Sequence, residues 1–193
     1  MSTQDPIDRN ALQAAVAQAV REHATLFLVE GIILLVLGIL AILVPPFATL
    51  AITIIIGWIF LASGLMGWIT TFGARNAPGF WWSLVSAVIA TAAGLILLIQ
   101  PVGGAVSLTL LLIAFFAIEG AASIMYALEH RNQLSGRWEW MLVSGVIDLV
   151  LAGIILAGFP GTAAWAIGIL VGVNMIFGGA ALVAIALHAR KAA

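Results

Sequence analysis

Three prolines, Pro45, Pro101 and Pro160, constrain this chain most, because the same glycine spacing surrounds each of them. Gly38 lies seven residues before Pro45 and Gly64 nineteen after it; Gly94, Pro101 and Gly120 keep both offsets, as do Gly153, Pro160 and Gly179. A spacing kept three times marks an internal repeat with a period of roughly 57 residues. Each copy reads as apolar run, short proline-containing break, apolar run. Proline interrupts a helix by removing an N–H donor and crowding the preceding turn, so each copy is expected to form a helical hairpin.

Composition decides the solvent. With 64% hydrophobic and 8% charged residues among 193, and a mean hydropathy of +1.22, a soluble fold would have no polar surface to present to water. Six segments reach the ~20 apolar residues a membrane-spanning helix needs, at about 25–44, 48–72, 81–100, 105–128, 138–158 and 162–188. The runs are continuously apolar, without the alternation of a barrel strand facing a lumen. The expected fold is therefore an all-α integral membrane protein, with six transmembrane helices arranged as three parallel helical-hairpin repeats related by a pseudo-threefold axis.

The repeats span about 26–74, 81–129 and 138–188 within a transmembrane domain of 25–188, followed by a short tail at 189–193. Residues 1–24 form an amphipathic arm. Asp5 and Pro6 suit a helix start, and Leu12, Val16, Ala19 and Val20 make an apolar stripe opposite Gln13, Gln18 and Arg21. A surface helix over about 6–22 is expected, with a frayed Ala-rich tail as the alternative. The polar arm precedes a first apolar run of full spanning length, so a cleaved signal peptide is not expected.

Charge placement gives the topology. All seven basic residues, Arg9, Arg21, Arg75, Arg131, Arg137, Arg190 and Lys191, fall in the N-terminal arm, the second and fourth connections or the C-terminal tail. The connections around Pro45, Pro101 and Pro160 carry no charge, so the positive-inside rule places both termini in the cytoplasm. Trp68, Trp81, Trp82, Trp138 and Trp140 then lie at cytoplasmic helix ends as interfacial anchors.

Gly168-x-x-x-Gly172, Ala90-x-x-x-Gly94 and Gly153-x-x-x-Ala157 would let backbones approach closely, inside the bundle or at a homo-oligomer or membrane-protein interface. The composition implies the lipid bilayer as partner. A net charge of −1 without a basic cluster argues against nucleic acid, and the absence of cysteine excludes disulfides and thiolate ligands. His23, His130 and His188 lie at helix ends, and no hydrolase, P-loop or zinc motif is present; no enzyme, cofactor or metal is expected.

The polar residues inside the spans are the candidate site. Glu30, Glu119 and Asp148 are carboxylates where ionised side chains are costly and usually face an interior. Counted from the turn prolines, Ser86 takes the repeat position of Glu30 and Ser63 that of Glu119, while Asn174 could meet Asp148 across the third copy. These six form a polar layer in the inner half of the bundle. It reads either as a proton-accepting or small-solute pocket, or as a snorkelling Glu30 beside structural hydrogen bonds.

The repeat resembles the HdeD-like bacterial membrane proteins associated with acid resistance. The likeness covers about residues 26–188 and rests on units such as the apolar stretch from Gly31 through Gly38 to Pro45, followed by a run ending at Ala62-Ser63-Gly64. It implies a non-enzymatic inner-membrane protein linked to acid stress, which maintains the membrane barrier or binds a partner in the bilayer. It brings no catalytic residues and no transported substrate; a transporter or channel using the intramembrane carboxylates is the alternative. The second copy breaks the pattern, with Ile113 where the others have Gly57 and Gly172.

Overall fold

The computed structural model describes residues 24–75, 78–131 and 138–191. The expected N-terminal arm and the end of the C-terminal tail lie outside the described residues. Among the described residues there are six long helices: α1 Ala24–Leu43, α2 Pro45–Gly73, α3 Phe80–Ile99, α4 Pro101–Glu129, α5 Trp138–Ala157 and α6 Ala166–Lys191, with a 3₁₀ turn Gly161–Ala164 ahead of α6. All six are long and apolar enough to cross a membrane. The protein is an all-α, multi-pass membrane protein built from three repeats.

Helix lengths follow the repeat. The first helix of every copy has 20 residues, or ~30 Å, the thickness of the hydrocarbon core. The second helices have 29, 29 and 26 residues; they exceed the core and must tilt or project from it. Pro45 and Pro101 are the first residues of α2 and α4, where a missing N–H forfeits no intrahelical bond. The expected proline break is thus a single residue, Val44 (φ −132°, ψ 65°) or Gln100 (φ −128°, ψ 67°).

The chain forms two compact bodies, one of α1 with α6 from Leu170 onward and one of Val44–Ile169. In the first body, α1 and α6 run antiparallel with glycine facing glycine. A side-chain carbon added at Gly38 would lie 2.7 Å from the Gly172 carbonyl oxygen, and one at Gly172 would lie 2.9 Å from that of Gly38. Gly31 and Gly179 repeat the arrangement seven residues along, at 2.8 and 2.7 Å. Backbone meets backbone there, so van der Waals packing and Cα–H···O contacts replace the hydrophobic drive that lipid removes. Near the charged end, Arg190 donates to the Thr25 hydroxyl at 3.1 Å.

In the second body α2 packs along α3, and α4 along α5, whereas α3 and α4 touch only weakly. Gly94 abuts Leu61 and the Gly57 carbonyl, Gly67 abuts Ala87, Gly64 abuts Thr91, and Gly120 and Gly145 each approach the other's carbonyl at 2.7 Å. The close pairs therefore join the second helix of one copy to the first helix of the next. α6 pairs with α1 in the same sense. For the second copy this replaces the intimate hairpin expected from its sequence. Antiparallel helices in bundles are usually joined by about 2–8 residues, and the single residue Gln100 leaves no such loop between α3 and α4.

The register of the buried positions is regular, with one exception. Second helices bury the residues twelve, nineteen and twenty-six after the proline: Gly57, Ile113 and Gly172; Gly64, Gly120 and Gly179; Thr71, Ala127 and Ala186. First helices bury Gly31, Gly38 and Ala41 in copy one and Ala87, Gly94 and Leu97 at the same offsets in copy two. Copy three instead buries Gly145, Ala152 and Ile155, each one residue farther from its proline. Gly153, expected as a packing contact, is turned outward with nothing within 4 Å. One additional residue between helix and proline rotates the repeat glycine off the seam by the angle of one helical step.

Trp68 also departs from expectation. Instead of serving only as an interfacial anchor it is half-buried, donates its indole N–H to Thr91 Oγ1 at 3.2 Å and stacks on Phe72 with ring centroids 5.6 Å apart. Trp81, Trp82 and Trp140 are exposed, as membrane-interface anchors require.

Candidate functional site: a threonine floor beneath the proline turns

The polar layer divides between the bodies. Glu30 and Asn174 lie in the first, both exposed; Ser63, Ser86, Glu119 and Asp148 lie in the second, all exposed except Asp148, which is half-buried. Four of the six immediately precede a buried small residue: Glu30 before Gly31, Ser63 before Gly64, Ser86 before Ala87 and Glu119 before Gly120. They therefore flank the tight seams. Asp148 comes nearest to entering one, since a carbon added at Gly120 would meet its Cβ at 3.1 Å. The structure thus brings the helices of Glu119 and Asp148 together at Gly120. With the register of copy three shifted by one, Ser144 before Gly145 becomes the counterpart of Glu30 and Ser86, a residue that counting from Pro160 misses.

The most buried polar groups are elsewhere, near the prolines. Thr49, Thr53 and Thr109 are 1%, 0% and 0% exposed. Thr53 and Thr109 both lie eight residues after their proline, and Gly168 holds the same place in copy three. That shared offset was available in the sequence, but threonine is too ordinary in membrane helices to attract attention. Thr53 donates to the Thr49 carbonyl at 2.8 Å. The Gly168 N–H donates to Thr49 Oγ1 at 3.0 Å. Gly168 sits in the first turn of α6, where N–H groups have no intrahelical acceptor, so Thr49 caps that helix from a distant segment. Thr162 donates to the Ile155 carbonyl at 2.7 Å and ties the 3₁₀ turn to α5.

Thr109 Oγ1 is buried without a hydrogen-bond partner among the described residues. An unsatisfied hydroxyl contributes its desolvation penalty and little in return. Thr109→Val, nearly the same shape, is expected to retain or raise thermal stability in detergent, by up to ~1 kcal/mol. A clear fall in the unfolding midpoint would show that the hydroxyl is satisfied.

Of these threonines, Thr49 lines a half-open pocket of about 220 Å³. Copies one and two give it equivalent positions, Pro46, Thr49 and Leu50 matching Val102, Ala105 and Val106, and the turn after Pro160 closes the third side. Its walls are apolar, and the three proline junctions contain no charged residue. The long helices α2 and α4 begin at this end, with the partial positive charge of their first-turn N–H groups.

The chain matches the family described as a short repeat of unknown function, DUF308, in three stretches, residues 29–99, 85–157 and 149–193. The chain belongs to the DUF308 family. The first two DUF308 stretches each run from the first helix of a copy through its second helix to the first helix of the next, so each contains a whole close pair, α2–α3 or α4–α5. Among curated proteins, the chain is 25% identical over 179 residues to Protein HdeD of Escherichia coli strain K12, covering 91% of this chain and 93% of the relative. Protein HdeD of Escherichia coli O157:H7 and of Shigella flexneri match to the same extent. No solved structure matches the chain.

Proposed function

We propose that this protein is a non-enzymatic inner-membrane component of the acid or envelope stress response, which acts by maintaining the membrane barrier or by binding a partner within the bilayer. The observation that carries this reading is the near full-length similarity to HdeD, 91% of one chain against 93% of the other. The exposed positions of Glu30, Ser63, Ser86, Glu119 and Asn174 on helix flanks support it, because a conducting path calls for polar side chains gathered inside a bundle. Both termini are assigned to the cytoplasm on the placement of the basic residues. Single cysteines at Ala74 and Gly103, both exposed and Gly103 with only the Gln100 side chain nearby, test the orientation. In intact cells an impermeant thiol reagent should label Gly103→Cys and spare Ala74→Cys; the opposite pattern inverts the topology.

One observation favours a second reading, proton or small-solute transport: the half-buried Asp148 against the Gly120 seam. Purified protein in vesicles loaded with a pH-sensitive dye separates the two. No protein-dependent proton flux is expected; flux abolished by Asp148→Asn would establish transport and remove the barrier reading.

A further inference from the structure

Helix α6 has two faces of different character. Gly172 and Gly179 lie against α1. At ~100° per residue, Asn174, Gly178, Ala181 and Ile185 fall within an arc of about 60° on the other side of the helix, and all four are exposed. A carbon added at Gly178 would meet nothing within 4 Å. Among the described residues, the side-chain hydrogen bonds that involve α6 are those of Gly168 with Thr49 and of Arg190 with Thr25, near its two ends. The Asn174 amide has none. Eight residues into a 26-residue helix, it lies ~12 Å from the helix start, well within a hydrocarbon core of ~30 Å. A carboxylate at this depth can take up a proton and become neutral. An amide keeps its donors and acceptor whatever the pH, its side chain is too short to reach the interface, and lipid offers it no partner.

We propose that this face of α6 is a parallel homodimer interface in which Asn174 of two copies of the chain hydrogen-bond to each other. A carboxamide both donates and accepts, so it is its own complement. Copies inserted in one membrane share one orientation, so their α6 helices run parallel about a twofold axis along the membrane normal, and Asn174 stands opposite itself at equal depth. Gly178 and Ala181, one and two turns further on, carry too little side chain to hold the backbones apart, which lets the short Asn174 side chains meet. Glycine is costly inside a helix. Gly179 is accounted for by its contact with α1, whereas Gly178 has no contact within the chain that calls for glycine, and close approach of a second copy supplies one.

The test is energy transfer between donor- and acceptor-labelled copies of the full chain in liposomes, diluted over a range of lipid. The natural chain has no cysteine, so Ala74→Cys carries the dye away from this face. A reversible dimer is expected. Asn174→Leu should raise its dissociation constant about tenfold, the scale of hydrogen bonds between membrane helices; Gly178→Leu should raise it at least as much, and Ser63→Leu, on α2, should leave it unchanged. A thermal melt confirms that each variant is folded. Oxidation in native membranes gives a second readout: Ala181→Cys should form a disulfide-linked dimer, and Leu187→Cys, exposed on the far side of α6, should not. A monomer at every dilution means that lipid covers this face, and association that survives both α6 substitutions in folded protein, or equal cross-linking of the two cysteine variants, places the contact elsewhere; each of these results overturns the proposal.

Discussion

Leucine at Gly120 is expected to break the α4–α5 pair, whereas leucine at Gly153 costs the protein no stability, although the two glycines hold equally regular places in the sequence repeat. At Gly120 a single added carbon would already lie 2.7 Å from the Gly145 carbonyl oxygen, 2.9 Å from Leu149 and 3.1 Å from the Asp148 Cβ. The first of these is backbone, so no rotamer change relieves it; the helices themselves must separate. Overpacking of a tight core costs ~1–3 kcal/mol and occasionally more, and leucine against backbone falls at the upper end. With a midpoint shift of roughly 2–4 °C per kcal/mol for chains of this size, Gly120→Leu should lower thermal stability by about 10 °C. Gly153 has nothing within 4 Å. Leucine there meets lipid and gains helix propensity, about 1 kcal/mol relative to glycine. Thermal unfolding of both variants in one detergent is the measurement. Equal losses would restore the register in which Gly153 is a packing contact.

The contrast between these two glycines shows how far the sequence reaches. Membrane class, helix number and the threefold repeat were legible because they depend on apolar run length and on Gly and Pro placement, which one-dimensional spacing records directly. Helix partners were not. Offsets from Pro45, Pro101 and Pro160 are the same whether a glycine faces its own copy or the next, and only the one-residue break at Gln100 settles it for α3 and α4. A single added residue before Pro160 then moved the seam from Gly153 to Ala152, a rotation of ~100°. Burial in a membrane bundle also follows size as well as polarity. The seams select glycine and alanine and leave Glu30, Ser63 and Glu119 on their flanks. The threonine floor was hidden for the opposite reason, since Thr49 and Thr109 satisfy a hydrophobic pattern while carrying the hydroxyls.

Thr49→Val is the second change with a large expected effect, and its mechanism lies entirely in one hydrogen bond. Gly168 cannot shed its N–H into water, because it is buried, nor into its own helix, because it lies in the first turn of α6. A carbon added at Gly168 would meet the Pro45 carbonyl, Thr49 Oγ1 and Ala48, so α2 and the start of α6 are already in contact and leave no space for a water to replace the lost acceptor. Valine keeps the volume of threonine and removes the acceptor, leaving a buried donor unpaired at ~1–3 kcal/mol. The same isosteric change at Thr109, whose hydroxyl has no partner among the described residues, carries no such penalty. The unfolding midpoint should therefore fall by several degrees for Thr49→Val, stay near wild type for Thr49→Ser, which preserves the acceptor, and not fall for Thr109→Val. Amide exchange adds a local readout: in Thr49→Val the Gly168 N–H should lose protection before the rest of α6. If Thr49→Val melts with the wild type and Gly168 stays protected, the hydroxyl does not hold the start of α6, and the floor beneath the proline turns is held by packing alone.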